Sequence, residues 1–428
     1  MIKGFNQIKE KFDIHTKTEI NLGLNRIENF LALLGNPHQH LKAVHIAGTN
    51  GKGSTLQFLR NILKEAGYSV GTFTSPHIED VKDQISTNDG PITEEKLDET
   101  LNYMLSNIKD KKEIERLTDF ELLTVLAIIY FSVIASQDIV IFETGMGGLT
   151  DSTNIISPLL SIITTISLEH TAYLGETLTD ITYQKAGIIK KEIPCITGVK
   201  DEAALKVIRE KAVDCHSKLY VLNEDILIAD NGDDFTVQTP LGNYQHLQLA
   251  MKGNHQKENG SLAIMAAEVL NRENHFHIEK KHIKKGLKQT LWPGRFELVS
   301  ESPVIILDGA HNPAAMERLV ETLQQEYPNH KFQFIFGALR DKNTRVMIEM
   351  LDNLAEKITF VDFDFPRAAS ATQLASISSL ANKHSSINVS ESLSLEINQL
   401  KKEDILVLTG SLYLISEVRP ILCNYLEK

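Results

Sequence analysis

The stretch that most constrains this chain is Ala47-Gly48-Thr49-Asn50-Gly51-Lys52-Gly53-Ser54-Thr55. Before it, Val44-His45-Ile46-Ala47 reads as a strand; after it, Thr55 to Ala66 reads as a helix that ends at Gly67. Strand, glycine-rich turn and helix is the setting in which backbone N–H groups and a helix N-terminus collect phosphate oxygens. Glycines at 48, 51 and 53 let the backbone turn and come close to a ligand. Lys52 can reach terminal phosphates, and Ser54 or Thr55 can face a cation. The spacing departs from G-x-x-x-x-G-K-[ST], since Ile46 stands where the first glycine would be and Gly53 follows the lysine. A glycine-rich turn with an incidental lysine is the competing reading; the flanking strand and helix favour a nucleotide phosphate site.

With 428 residues the chain is too long for one ordinary core and suits two packed domains. Its net charge of −12 argues against nucleic acid or an anionic membrane as partner, because phosphate backbones need clustered Lys and Arg. A local basic pocket for a phosphorylated or carboxylated small molecule is compatible with that charge. The 3 cysteines, Cys195, Cys215 and Cys423, are scattered and form neither a disulfide framework nor a metal knuckle, so a cytoplasmic location is expected. Met1 to Gln7 lacks the apolar run of a signal peptide. Leu122 to Ala135, interrupted by Thr124, Tyr130 and Ser132, is too short to span a bilayer and reads as a buried helix.

Strand and helix patterns alternate along the first half. Ser69 to Thr74, Ile139 to Phe142 and Leu159 to Ile166 read as strands; Phe120 to Ala135 and Tyr183 to Ile189 read as helices. That order predicts an α/β fold, a mostly parallel sheet with helices on both faces. Between Leu219 and Leu249, short alternating runs with turns at Asn231-Gly232 and Leu241-Gly242-Asn243 predict a small antiparallel patch. Helices from about Gln256 to Leu270 and about Ile283 to Leu291 lead to Trp292-Pro293-Gly294-Arg295. A second series then begins, with strands at Val304–Leu307, Phe332–Phe336, Ile358–Asp362 and Ile405–Leu408. Pro293-Gly294 and the return to apolar strands place a domain boundary near Phe296, so the expected domains are 1–295 and 296–428.

The metal that accompanies a nucleotide needs a carboxylate, and Glu143 supplies one at the tip of the apolar run Ile139-Val140-Ile141-Phe142. A strand tip lies at the carboxyl edge of a parallel sheet, where ligands bind. A solvated strand-end glutamate is the plainer alternative.

Several separated motifs, in order, resemble one family. They are the phosphate cradle, Thr74-Ser75-Pro76-His77-Ile78, Gly147-Gly148 with Asp151-Ser152-Thr153-Asn154, Lys185-Ala186-Gly187-Ile188-Ile189-Lys190, and Leu307-Asp308-Gly309-Ala310-His311-Asn312-Pro313. Leu22-Gly23-Leu24-Asn25-Arg26, Trp292-Pro293-Gly294-Arg295, Phe336 to Lys342 and Thr409-Gly410-Ser411 extend the match over nearly the whole chain. Together they resemble the folylpolyglutamate synthase/dihydrofolate synthase family of the Mur ligase superfamily. The resemblance implies an α/β ATPase domain over 1–295, a smaller Rossmann-like ligase domain over 296–428, and ATP-dependent ligation of L-glutamate to a folate or dihydropteroate carboxylate through an acyl phosphate, with ATP and Mg2+, in a monomer.

By the same resemblance, Ser75, Glu143 and His170 bind magnesium and Lys185 carries a carbamate. Oxygen donors suit magnesium, and the histidine is the unusual ligand. Read by itself, His170 is as well explained by a structural hydrogen bond, and Lys185 by a helix lysine pairing with phosphate. The family uses Asn259, Arg295, Asp308 and His311 with the cradle for ATP; a guanidinium such as Arg295 suits phosphate oxygens bidentately. Phe120, in Thr118-Asp119-Phe120-Glu121, matches a residue lining the pterin pocket, though a helix-start phenylalanine also suits a core. Ser411 matches a residue near the incoming glutamate, with a plain helix cap as the alternative.

The pattern is broken at Asp83-Gln84-Ile85, at Leu149-Thr150 and at Gln184, where the family commonly has arginine, arginine and glutamate. These changes bear on substrate choice and positioning. A Mur-type cell-wall ligase is the nearest rival, yet only about forty residues precede the cradle strand, few for its usual extra domain. A nucleotide switch would show Asn-Lys-x-Asp, whereas Asn382-Lys383 is followed by His384-Ser385. A non-catalytic family member is the third alternative, and Lys185, His170 and Asp308 speak against it.

Overall fold

The structure, a computed structural model, describes residues 4–12, 14, 23–77, 79–232 and 234–426. Met1 to Lys3, Leu22 and Ile78, which belong to segments read above, lie outside the described residues. The chain divides into two compact units. The first runs to Pro76 and resumes over Lys82–Leu249 and Lys257–Thr290; the second comprises His77–Val81, Ala250–Gln256 and the chain from Leu291.

In the first unit, unbroken apolar runs become the middle strands of one sheet. Its strands are β1 (Ala43–Ala47), β2 (Val70–Phe73), β3 (Ile85–Thr87), β4 (Gly90–Pro91), β5 (Ile139–Glu143), β6 (Leu160–Ile163), β7 (Cys195–Thr197) and β8 (Leu219–Val221). The order is β4-β3-β2-β5-β1-β6-β7-β8, parallel from β2 to β8, with β3 and β4 antiparallel at one edge. Every residue of β1, β2, β5 and β6 is buried, as expected where helices cover both faces of a sheet. β1 lies between β5 and β6, so the cradle leaves the sheet beside Glu143.

The antiparallel patch is present as β9 (Leu227–Asp230), β10 (Phe235–Gln238) and β11 (Asn243–Leu247). Leu219–Val221 is not part of it: β8 pairs in parallel with β7 and extends the main sheet. The helix expected over Phe120–Ala135 runs as α-helix over Asp119–Ile129 and loosens into a π turn over Tyr130–Ile134. The one expected over Tyr183–Ile189 spans Leu178–Ala186, because a Thr177/Asp180 capping box starts it more than a turn earlier and the chain leaves it at Gly187. The two later helices span Asn254–Asn274 and Lys280–Gln289. Among the described residues no helix is long and apolar enough to cross a membrane.

The second unit holds β12 (Glu297–Glu301), β13 (Val304–Asp308), β14 (Phe332–Phe336), β15 (Ala355–Val361), β16 (Lys383–Ser386) and β17 (Ile405–Thr409), ordered β12-β13-β17-β14-β15-β16. All pairings are parallel except β12 with β13. Two-residue alternation along β14 divides its side chains between two cores. Phe332, Phe334 and Phe336 pack with Met316, Leu319 and Leu323, while Ile335 joins Leu414 and Val418.

Candidate functional site

In the first unit the cradle is held by main-chain and threonine hydrogen bonds to the segment after β6. Thr49 N donates to Thr165 O (2.8 Å) and Asn50 N to Thr165 Oγ1 (3.0 Å). Thr164 Oγ1 and Thr165 Oγ1 donate to Asn50 O at 2.6 and 3.0 Å. Gly48 passes so near this segment that a Cβ on it would lie 1.9 Å from Thr164 Oγ1. Gly51 has φ 85° and caps the Lys52–Glu65 helix without any side-chain cap; no acidic residue occupies the first turn. The N–H groups of that turn are therefore placed to receive an anion. Ser54 and Thr55 lie in that turn and are buried. Asn259 closes the far side of the turn, with Oδ1 2.5 Å from where a Gly51 Cβ would be and 3.5 Å from Thr55 Oγ1.

Three of the charged candidates meet here. Lys52 Nζ donates to Gly48 O (3.1 Å) and lies 3.7 Å from Glu143 Oε1. Lys185, buried on the Leu178–Ala186 helix, donates to the same Gly48 O at 2.9 Å. Burial first, and the Lys52 charge second, lower the Lys185 pKa to about 7, against the opposing pull of Glu169 and Asp151. Its amine is thus partly neutral near pH 7, the form that can take up CO2.

His170 is half-buried with φ 51°, ahead of a short helix, and its Nε2 lies 3.9 Å from Glu169 Oε1. Ser75 is half-buried in the turn after β2. Phe120 lies against the turn after Glu143, where a Cβ on Gly145 would be 2.6 Å from its ring, and it stacks with Phe73 at a centroid distance of 5.6 Å. Thr118 and Glu121 form a capping box at the start of its helix, and Glu121 also pairs with Arg26.

Sequence reading passed over Glu169, whose carboxylate acts on Lys185, and Thr164-Thr165, which fasten the cradle. Thr164-Thr165 follow β6 directly and Glu169 lies further along the same segment, where adjacency to His170 was the available signal. Among the described residues no group of three or more His, Cys, Asp or Glu is placed to hold a metal unaided. The donors present nonetheless fit magnesium, which commonly takes one or two carboxylates and completes its shell with phosphate and water. Glu143 is a buried carboxylate with a cation already beside it. The adjoining Thr144 Oγ1, and Ser167 Oγ beside the cradle, are buried hydroxyl oxygens without a hydrogen-bond partner.

In the second unit, the Asp308 carboxylate accepts from Phe296 N and Ala310 N, both at 2.8 Å, and so fixes the backbone after Arg295. Burial raises the Asp308 pKa, with the nearby Arg295 charge opposing. Arg295 Nη1 extends over Gly309, 2.9 Å from where a Cβ would stand. His311 Nδ1 donates to Gly309 O (2.8 Å). Arg419 grips Glu297 through Nε and Nη2, and Glu297 accepts from Gly294 N (2.8 Å). His255, unnoticed in the sequence, shares this surrounding: burial, then the charges of Arg318 and Arg295, push its pKa down to about 4. Ser411 is buried, and its Oγ accepts from Tyr413 N (3.2 Å), a cap-like contact.

Comparison with known proteins finds matches over most of the chain. The Mur ligase middle domain family matches residues 46–267, and the Mur ligase glutamate ligase domain family matches 294–412. A dihydrofolate synthase/folylpolyglutamate synthase of Bacillus subtilis is 41% identical over 412 residues, covering 94% of this chain and 95% of its own. The chain belongs to the folylpolyglutamate synthase/dihydrofolate synthase family of Mur ligases. A folylpolyglutamate synthase of Lacticaseibacillus casei is 32% identical, with 93% of this chain and 94% of its own covered. Among solved structures of this family, Escherichia coli FolC in complex with DHPP and ADP superposes with a TM-score of 0.89 at 28% identity, over 98% of each chain. The Thermotoga maritima folylpolyglutamate synthase gives 0.83 at 32% identity, over 97% of this chain and 96% of its own. As a member of the family, the chain is an ATP-dependent, ADP-forming carbon–nitrogen ligase.

Proposed function

We propose that this chain joins L-glutamate to a folate-type carboxylate, with Lys52, Glu143 and Lys185 as the reacting centre. The observation that carries this assignment is the convergence of Lys52 and Lys185 on one carbonyl, Gly48 O, with Glu143 3.7 Å from Lys52. Gly48 to Ser54 receive the phosphates of ATP through backbone N–H groups, and Asn259 closes that turn. A carboxylate oxygen of the folate or dihydropteroate attacks the γ-phosphorus, the bond to the β-phosphate oxygen breaks, and ADP and an acyl phosphate result. Lys52 offsets the charge that develops on the transferring phosphoryl group. The glutamate amine then attacks the acyl carbon; phosphate leaves with the bonding pair, the amine loses a proton and an amide forms.

Magnesium, held by Ser75, Glu143, His170 and Lys185 as its carbamate, would neutralise phosphate oxygens and orient them. Arg295, Asp308 and His311 serve the nucleotide, Phe120 a flat heterocycle and Ser411 the incoming glutamate. We assign residues 1–295 to the ATPase domain and 296–428 to the Rossmann-like ligase domain, with 77–81, 250–256 and 291–295 packing in the second compact unit. The protein works on small molecules as a cytoplasmic monomer, without nucleic acid; sedimentation at micromolar concentration tests the monomer.

Lys185→Ala and Glu143→Gln should each lower glutamate-dependent ADP release by about a hundredfold or more. Parent-like turnover in either variant sinks that residue's role. With 13C-bicarbonate the parent should show a carbamate signal that Lys185→Ala lacks.

A further inference from the structure

His45 occupies the middle of β1, between Phe142 of β5 and Ser161 of β6, and is fully buried. Its Nε2 lies 2.8 Å from Thr153 Oγ1. That hydroxyl donates to Asp151 Oδ1 at 2.6 Å, and Thr153 N donates to the same oxygen at 3.0 Å. The other oxygen, Asp151 Oδ2, accepts from Met146 N at 2.8 Å. Met146 and Gly145 belong to the turn that leaves the sheet at Glu143 and lies against the Phe120 ring. One line of hydrogen bonds therefore joins the centre of the sheet to the turn beside the reacting groups.

The direction of that line depends on one proton. A hydroxyl has a single hydrogen, so Thr153 can donate to Asp151 only if His45 donates to Thr153. Burial, and the nearby Lys190 charge, push the His45 pKa down to about 3, leaving one N–H on the ring at working pH. The remaining nitrogen, Nδ1, is buried without a partner. Hydrogen on Nδ1 would strand a buried donor, a costlier orphan than a lone pair, and would turn the Thr153 hydroxyl away from Asp151. Hydrogen on Nε2 avoids both.

We propose that His45 is a positioning residue: its Nε2–H commits the Thr153 hydroxyl to Asp151, and Asp151 thereby holds the Gly145–Met146 turn that places Glu143 and backs Phe120. This inference rests on the roles given to Glu143 and Phe120 above. The cradle has its own fastening at Thr164 and Thr165, so loss of the relay should act on turnover and leave nucleotide affinity nearly intact.

Two amide substitutions separate this from a merely structural role. His45→Gln sets an N–H donor near the position of Nε2, and His45→Asn near that of Nδ1. The expected result is near-parent turnover for Gln and a kcat about tenfold lower for Asn, with KM for ATP within about twofold of the parent in both. Thr153→Val should match Asn, and the Thr153→Val/His45→Asn pair should be no worse than either alone. Nitrogen-15 spectra of labelled histidine in the parent chain should show hydrogen on Nε2 of His45.

Equal turnover of the Gln and Asn variants, or hydrogen on Nδ1, overturns the relay. If Glu143→Gln is inactive while the Gln and Asn variants are alike, the relay fails and the site stands. If Glu143→Gln turns over normally, the site assignment itself is at fault. The spectra read the parent chain and hold even if a variant fails to fold.

Discussion

Lys185 and His45 are both bases whose buried surroundings favour the neutral form, with different consequences. For Lys185 neutrality is chemical, since an uncharged amine can become a carbamate. For His45 it is a stability term with a definite sign. The folded chain binds no proton at His45 until about pH 3, whereas an unfolded histidine binds one near its ordinary value of 6.5. Between those values the unfolded state holds the extra proton, so stability falls as pH drops, by about 1.4 kcal/mol per unit from this group. Urea melts from pH 7 to pH 4 should show a steeper acid loss for the parent than for His45→Gln; equal slopes would remove His45 as a source. Neither effect was legible in the sequence, where Val44-His45-Ile46-Ala47 reads as an ordinary strand. Asp308 gave a related surprise: its partners are the main-chain N–H groups of Phe296 and Ala310, which no residue pattern announces.

At the level of elements, the apolar strands were the most legible, because burial on both faces demands largely apolar runs at β1, β5, β13, β14 and β17. Lys383–Ser386 escaped notice because β16 is a largely exposed edge strand of polar residues, and Glu297–Glu301 because its alternation is weak. Helix starts were misplaced where the cap went unread: Thr177 with Asp180 set the beginning of the Lys185 helix. The cradle was readable from its glycines, but its threonine fastening was not, since Thr164 and Thr165 lie over a hundred residues away. The close fit at Gly48 gives a prediction for this element. Gly48→Ala would drive a methyl group into Thr164 at a φ of 151° that side chains rarely adopt. It should cost about 1–3 kcal/mol in urea unfolding and abolish ADP binding; an unchanged midpoint would mean that Thr164 moves aside freely.

For the whole molecule, the overall class was plain from the alternation of strands and helices, and the family from the order of its motifs. The way the chain is shared between the units was hidden, because short segments such as His77–Val81 and Ala250–Gln256 carry no compositional break. Nucleotide binding gives a prediction at this scale. ADP at a hundred times its Kd should stabilise the native chain by about 2.7 kcal/mol. The melting temperature should rise by a few degrees in the parent and stay unchanged in Lys52→Ala. An equal rise in that variant would place the nucleotide elsewhere.

The interleaving also fixes an order of events while the chain is being made. Residues 77–81 and 250–256 emerge from the ribosome before residue 291, yet their packing partners, such as Arg419 for Glu79 and Glu326 for Lys252, are made after it. The first unit has all its residues once Thr290 is out. The second must keep two early fragments waiting until its later strands and Arg419 are made.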